Sequence, residues 1–479
     1  MALRVVGATA DDNRVLRNTA ALAAAGVTAQ LLFLTCEALI ARYLGAEAYG
    51  VFGSVHALTL ILCFVIEFGM NWKLVEDGSR EPTTLGPVLG TMLAMALVSF
   101  AIVYPATLWM LDVFAYDKRA VGFYAIFAFF GLCLVLQDLL AGVYAALGRM
   151  EVTAIFQAAM SAAILGGIVI LLDELTLDHA GTVFVAGGLI VTAVWAAVTF
   201  RRVRPVLEPS RVLPILKGSY LYGITGLLIN VHLRIGVLVL ATFQDAKAVA
   251  VFAAAHRLIT LGVKVPVLVT HVIAPKLFAE MAHRPGKFRS SSDVLMRVAA
   301  TISVVMAIGV LTAAHIAIQL VYGKSYSAAG QLLQILGVSL ALKTFAQIGQ
   351  TVITAADDHT YRTRVIGFVT LLGTILAIPL SIRWGPVGAA AAAVLADLVW
   401  SLLMLVRLAP HLSGSTASSI VGMPLLSAGL AAGLAFLMPA GSLVAIVVCP
   451  SVALGILWLS GYLRPVFAAL PLGAGSRLR

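Results

Sequence analysis

Apolar stretches long enough to cross a lipid bilayer follow one another through almost the whole sequence, separated by short polar connections. Because a transmembrane helix needs about 20 mostly apolar residues, 479 residues hold on the order of 14 to 17 spans. Charged residues make up only 11% of the chain, against about 25% in soluble proteins. The sequence therefore predicts an all-α polytopic membrane protein, with no room for a separate catalytic domain.

Fourteen apolar runs, bounded by charged residues, glycine or proline, are the candidate spans. Their approximate limits are 15–41, 48–69, 84–111, 120–147, 151–172, 181–200, 214–241, 248–275, 293–321, 328–355, 361–382, 386–408, 422–438 and 442–463. Pro439 and Pro450 interrupt the last two runs. Twelve spans would result if this final hairpin did not cross the membrane.

Lysine and arginine test this count independently, because they concentrate in the cytoplasmic loops of membrane proteins. With the N-terminus placed in the cytoplasm, 22 of the 32 Lys and Arg residues fall on the cytoplasmic side and six on the other. A miscounted span would swap the sides of all later loops, yet the excess persists through both halves. We therefore predict fourteen spans with both termini cytoplasmic. The net charge of +10 then reflects orientation, and no nucleic-acid partner is expected.

A weak internal repeat divides the chain. Two groups of residues recur about 200 positions later: Val51, Phe52, His56 and Leu58 as Val251, Phe252, His256 and Leu258, and Val194 and Trp195 as Val399 and Trp400. Two halves with an even number of helices make a parallel repeat, as in transporters that bind substrate between their halves. We predict an N-terminal lobe at 1–208, a C-terminal lobe at 209–412 and a helix pair with a cytoplasmic tail at 413–479.

Four basic residues lie inside candidate spans, where a charge costs at least ~2.5 to 3.5 kcal/mol and usually faces a bundle interior or an aqueous cavity. They are Arg234, Arg257, Lys264 and Lys343. Arg257, Lys264 and His271 are spaced at i, i+7 and i+14, which places them along one stripe of a single helix. This stripe predicts a cationic surface that runs most of the way through the membrane.

Amides extend this polar surface on two other helices. Asn230 and Arg234 are spaced at i and i+4, and Lys343, Gln347 and Gln350 at i, i+4 and i+7. Arginine donates bidentate hydrogen bonds to phosphate, and lysine provides a compact point charge. We predict a water-accessible lumen that binds a phosphate or diphosphate head group through Arg234, Arg257, Lys264, His271, Lys343, Asn230, Gln347 and Gln350.

Four acidic residues also lie within candidate spans: Glu37, Glu67, Asp138 and Asp397. As an alternative to a substrate site, they can neutralise the intramembrane cations in structural ion pairs. They can also couple transport to an ion by changing protonation state, with Glu37 and Asp138 as the main candidates. Glu37 lies five residues before Arg42, so an interfacial pair between them is an alternative. His56, His256 and His315 are expected to be core histidines.

No catalytic residue, cofactor or metal ligand is predicted. The four cysteines lie in apolar runs, where a thiol behaves as a small hydrophobic group. The sequence has no P-loop, no Gly-rich dinucleotide turn and no cluster with metal-ligand spacing.

Several short motifs resemble those of one known family. Arg42-Tyr43-Leu44-Gly45, then Tyr49-Gly50 and Phe68-Gly69-Met70, resemble the first hairpin of the oligosaccharide and polysaccharide lipid flippases of the multidrug/oligosaccharidyl-lipid/polysaccharide (MOP) superfamily. Tyr322-Gly323 with Tyr326 and the segment 328–336 resemble that family's turn between helices 9 and 10. The segment 384–390 (WGPVGAA) resembles the start of its helix 12.

The resemblance implies two six-helix lobes in a V around a central cavity, two extra C-terminal helices, and no enzymatic activity. It implies alternating-access export of an undecaprenyl-diphosphate-linked oligosaccharide, such as an O-antigen or exopolysaccharide repeat unit, across a bacterial or archaeal inner membrane. Membrane lipids, and a polymerase and glycosyltransferases of the same pathway, are the partners expected. The family offers no fixed functional residue to transfer to this chain.

Three other functions stay open. A cation-coupled drug or metabolite exporter of the same superfamily would have an acid-lined cavity, which the four intramembrane cations disfavour. A membrane glycan ligase or polymerase usually has a sizeable exterior loop, whereas no connection here exceeds about 20 residues. A non-transporting scaffold for a synthesis complex is the third.

Overall fold

The computed structural model describes residues 11–113, 116–356, 359–412, 414–438 and 442–469, with side chains from residue 26 onward apart from a few positions that include His271. This part of the chain is helical and contains no strand. The helices are α1 (Asp11–Glu67), α2 (Met70–Arg80), α3 (Leu85–Val113), α4 (Lys118–Ala146), α5 (Met150–Ile170), α6 (Leu177–Phe200), α7 (Val212–Phe243), α8 (Ala246–Gly262), α9 (Lys264–His283), α10 (Pro285–Tyr322), α11 (Ala328–Ala355), α12 (His359–Leu408), α13 (Gly414–Leu437), α14 (Leu443–Leu459) and α15 (Arg464–Ala469).

The number of apolar helical segments agrees with the sequence. Within the described residues, eleven helical stretches are long and apolar enough to cross a membrane, and α14 is apolar but shorter. Two of the eleven, in α1 and α12, bend at Gly45 (φ 78°, ψ 176°) and Gly385 (φ 56°, ψ −135°), and each provides two segments. The described part thus has fourteen apolar segments, which confirms the predicted all-α polytopic membrane protein.

The chain divides into two compact units, 1–230 and 231–479, and the division falls within α7. In the second unit, α13 and α14 pack against α10 through a cluster of small side chains, among them Ala431, Ala445 and Cys449. The C-terminal pair therefore shares its packing with the rest of that unit. The predicted limits at 208 and 412 stay predictions.

The first unit is held together by an aromatic core shared by α1, α4 and α6. Phe52, Phe127, Phe130 and Phe184 are buried or nearly so, and their ring centroids lie between 5.1 and 5.7 Å apart in successive pairs. Because lipid tails are as apolar as these side chains, helix association in a membrane relies on close packing and not on exclusion of water. Edge-to-face ring pairs such as Phe130 and Phe184 add to that packing.

The junction of α1 and α2 lies directly against α7. The chain turns there through two residues with positive φ, Phe68 (φ 41°) and Gly69 (φ 76°). A Cβ atom on Gly69 would lie 2.5 Å from the Gly223 nitrogen, and one on Gly223 would lie 2.6 Å from the Phe68 carbonyl oxygen. The two backbones therefore touch, and this contact requires glycine on both sides.

We predict that Gly223→Ala lowers the thermal stability of the purified protein. Alanine usually favours a helix interior by up to ~1 kcal/mol over glycine, but overpacking at a backbone contact costs about 1 to 3 kcal/mol. Gly166→Ala in α5 is the matched control, because a Cβ atom there has nothing within 4 Å. A lower melting temperature in detergent for Gly223→Ala alone is expected, and equal melting curves for the two variants would contradict the contact.

Candidate functional site

A buried cluster of polar side chains occupies the interior of the second unit. Asp397 on α12 is fully buried, and its carboxylate lies 2.9 Å from the Lys343 ammonium on α11. The same carboxylate lies 3.0 Å from His232 Nε2 on α7 and accepts a hydrogen bond from Ser339. Lys343 also donates to the Ser339 hydroxyl at 2.9 Å. Three helices are thus linked through one carboxylate.

This cluster bears on the predicted role of Lys343. A buried ion pair is stable only when its geometry is good and further hydrogen bonds satisfy both partners. The Lys343–Asp397 pair meets that condition, because His232 and Ser339 form hydrogen bonds with the same carboxylate. Among the residues predicted to bind substrate, Lys343 therefore lies in the structural ion pair that the sequence offered as the alternative.

The other three intramembrane cations come together near this cluster. Arg234 on α7 and Arg257 on α8 are half-buried, and both are close enough to Lys264, at the start of α9, to act on its charge. The Lys264 side chain is exposed. We call these three residues the cationic cluster. His256 lies among the same charges, since it interacts electrostatically with Arg234 and Arg257 and with the Lys343–Asp397 pair.

The helix that carries Arg257 and Lys264 is interrupted between them. The sequence predicted one helix over 248–275, but α8 ends at Gly262 and α9 begins at Lys264. Pro266 explains the break, because it has no N–H to donate to the Gly262 carbonyl and its ring crowds that carbonyl. Val263 keeps right-handed helical dihedral angles (φ −60°, ψ −19°), and Ala246–Thr270 is one apolar stretch long enough to cross a membrane, so the stripe stays a prediction. The side chain of His271, its third member, lies outside the described residues.

The predicted amides lie on the same helices as the charges. Asn230 precedes Arg234 by one turn of α7, and its side chain donates to the Gly226 carbonyl at 2.9 Å. Gln347 and Gln350 follow Lys343 on α11, and both are half-buried. Sequence reasoning missed two residues that complete the buried cluster, His232 and Ser339. Their signal was spacing, since His232 lies between Asn230 and Arg234 and Ser339 precedes Lys343 by four residues.

The first unit contains a separate acid–histidine pair. Glu37 is buried and lies 3.4 Å from His56 Nδ1 on the second half of α1. The imidazole is surrounded by phenyl rings, with centroids at 5.5 to 5.8 Å for Phe33, Phe52 and Phe127. The sequence suggested Arg42 as an alternative partner for Glu37; Arg42 is exposed, and that pairing stays a prediction.

The two remaining acids within spans are Glu67 and Asp138, which interact electrostatically. Glu67, at the end of α1, is buried and accepts a hydrogen bond from the Asn71 backbone N–H at 3.1 Å. Asp138 on α4 is exposed, and its charge interacts with that of Glu67. All four cysteines are buried thiols, and the described residues contain no group of three side chains able to hold a metal ion.

Residues 15–281 match the family described as polysaccharide biosynthesis protein. No curated protein matches the sequence.

Solved structures share the fold over most of the chain. Lipid II flippase MurJ, in an inward closed conformation, aligns with a TM-score of 0.75 at 12% identity, over 93% of this chain and 99% of that one. An inward-facing multidrug resistance MATE family transporter of the MOP superfamily aligns at 0.65 and 17% identity, over 80% and 95%. A MOP superfamily transporter from Pyrococcus furiosus aligns at 0.59 and 16% identity, over 83% and 96%. At these identities the likeness concerns the fold.

We predict that Asp397→Asn destabilises the protein strongly, because it leaves the buried Lys343 ammonium without its counter-charge. Breaking a buried ion pair costs about 3 to 5 kcal/mol, whereas Asp173→Asn, at an exposed position, should be close to neutral. Thermal unfolding in detergent measures both changes. The double variant Asp397→Asn with Lys343→Met should recover part of the loss. If Asp397→Asn and Asp173→Asn melted together, the pair would have no structural role.

Proposed function

This chain belongs to the polysaccharide biosynthesis protein family, and we propose that it is a flippase for a lipid-linked oligosaccharide. The substrate we propose is an undecaprenyl-diphosphate-linked glycan, such as an O-antigen or exopolysaccharide repeat unit. Two findings support a translocator over an enzyme: fourteen apolar segments occupy nearly all of the described chain, and MurJ and MATE transporters share its fold. A polymerase and glycosyltransferases are the partners that such a role needs.

The observation that carries this proposal is the cationic cluster of Arg234, Arg257 and Lys264. Asp397 forms its ion pair with Lys343 and also contacts His232 and Ser339. Three positive charges grouped within a membrane-spanning unit repel one another and favour an anion that can bind to all of them. A diphosphate is such an anion, since each arginine can donate two parallel hydrogen bonds to it.

In the proposed cycle the cationic cluster binds the diphosphate head group of the substrate, while the polyprenyl tail stays in the lipid bilayer. The glycan would contact the neighbouring amides, with Asn230, Gln347 and Gln350 as donors. A substrate drives alternating access only through a difference in its affinity for the two conformations. The cluster provides that difference if the cations approach one another more closely around the diphosphate in one conformation than in the other.

The acids within the spans are proposed to balance charge or to couple an ion. Asp397 balances Lys343. The Glu37–His56 pair is suited to proton coupling, because both partners can exchange protons and they lie 3.4 Å apart within an aromatic core. Glu67 and Asp138 are the second candidates.

The cation hypothesis predicts that Arg257→Gln, Arg234→Gln and Lys264→Gln each reduce flipping by about tenfold or more. A charge-assisted hydrogen bond contributes about 1.5 to 3 kcal/mol, and 1.4 kcal/mol corresponds to about tenfold. The measurement is translocation of a lipid-linked oligosaccharide in liposomes at matched protein content. Lys324→Gln, at an exposed position after α10, is the control. Unchanged flipping in all three cluster variants would refute the site.

A drug or metabolite exporter is the second candidate function, because MATE transporters share the fold. The two functions differ in the charge of the substrate. Resistance to cationic dyes in a pump-deficient host, abolished by Glu37→Gln and retained by Arg257→Gln, would favour export of a cation over flipping of a diphosphate.

We also propose that the protein lies in the inner membrane with both termini cytoplasmic. The four native cysteines are buried, so introduced thiols can be labelled with little background. Ser210→Cys before α7 should react only with a membrane-permeant maleimide in intact cells, and Ser325→Cys after α10 with an impermeant one; both serines are exposed. The reverse labelling pattern would invert the proposed orientation.

A further inference from the structure

An apolar groove with a cavity volume of about 490 Å³ runs along the surface of the first unit. Its walls come from three spans and from the chain that follows α6. The lining includes Leu93 and Leu97 of α3, Leu140 of α4, Ala196 of α6, and Pro205 and Leu207. Leu97 and Leu207 are 49% and 61% exposed, so the groove is open to its surroundings.

One wall of the groove is a strap, residues 201–208, that lies across α3. The Val206 N–H donates to the Gly86 carbonyl at 3.1 Å, and the Glu208 N–H donates to the Thr91 hydroxyl at 3.1 Å. A Cβ atom on Gly90 would lie 2.5 Å from the Val206 nitrogen and oxygen. The strap is therefore held on α3 by one backbone hydrogen bond, by one hydrogen bond to a side-chain hydroxyl and by direct backbone contact.

Three arginines lie at one end of this groove. Arg201, Arg202 and Arg204 are exposed, and they lie in the chain between Phe200 and Pro205, which both line the groove. Phe200 ends a membrane span, so these arginines are at the level where lipid phosphates lie. The acid nearest in sequence, Glu208, is already paired with Arg211 at 2.6 Å. The rim of the groove is thus cationic, and its interior is apolar.

We propose that this groove binds one acyl chain of an anionic phospholipid, with the lipid phosphate held by the arginines of the strap. The α3 wall from Gly90 to Leu97 is about 10 Å long at 1.5 Å per residue, which suits part of a single acyl chain. A much longer polyprenyl chain would be left largely uncovered. Three exposed arginines close together in the chain favour an anionic head group over a zwitterionic one.

The strap that forms one wall of the groove leads into α7. The strap continues through a short turn at Pro209–Arg211 into α7, the helix that carries Arg234. A bound lipid would contact α3, α4, α6 and the strap. The groove lies entirely within the first unit, and the proposal does not depend on which substrate the protein moves.

Native mass spectrometry of the full-length protein in detergent tests the proposal, with phosphatidylglycerol and phosphatidylcholine as the probes. We expect one phosphatidylglycerol to be retained at concentrations at which phosphatidylcholine is lost. Replacement of Arg201, Arg202 and Arg204 by Gln should weaken phosphatidylglycerol binding at least fivefold. The matched control replaces Arg284, Lys287 and Arg289, three exposed cations of the second unit, and should bind like the wild type.

A second pair of variants tests the apolar part of the groove. Ala196→Phe fills the groove and should abolish retention, whereas Ala197→Phe, at the exposed neighbouring position, should not. If Ala196→Phe fails to fold, the arginine variants decide alone, because their side chains are exposed. Equal binding of both lipids, equal loss in both triple variants, or displacement of phosphatidylglycerol by an equimolar polyprenyl phosphate would overturn the proposal.

Discussion

The cost of a charge in hydrocarbon governs how this protein is built. Lipid cannot solvate an ion, and it offers no hydrogen-bond partner to backbone N–H and C=O groups. The described spans are therefore helical, and their charges must pair or face water. Asp397 shows the first solution, since it holds Lys343, His232 and Ser339 at a fully buried point. Arg234, Arg257 and Lys264 are less buried than Asp397, since each retains some exposure.

The two histidines that the predicted repeat pairs, His56 and His256, lie in opposite electrostatic surroundings. His56 faces the Glu37 carboxylate, whereas His256, 200 residues later, lies among Arg234, Arg257 and Lys343. The first unit thus contains an acid–histidine pair, and the second contains a histidine that interacts with several cations. This difference is consistent with a division of labour in which the second unit binds the anionic head group and the first responds to protons.

Close backbone contacts position the helices around these polar groups. Gly69 and Gly223 let the α1–α2 junction touch α7, and Gly90 lets the strap lie on α3. Without a hydrophobic force between helices, such contacts between small residues are a main source of specificity in a membrane. The same strap closes one side of the apolar groove. One segment therefore connects a lipid-facing surface to the helix that carries Arg234.

The sequence by itself determined the class of fold, the number of apolar segments and the identity of the intramembrane charges. These follow from length, hydropathy and the energetic cost of a charge in lipid, all of which are local properties. Only the tertiary structure decided which charged side chains lie together: Asp397 pairs with Lys343, and Glu37 lies beside His56. The choice depends on which side chains meet across helices distant in sequence. The interruption between α8 and α9 at Val263 could have been predicted from Pro266, which lacks a backbone N–H. Hydropathy gives no sign of it, because the apolar pattern continues through this position.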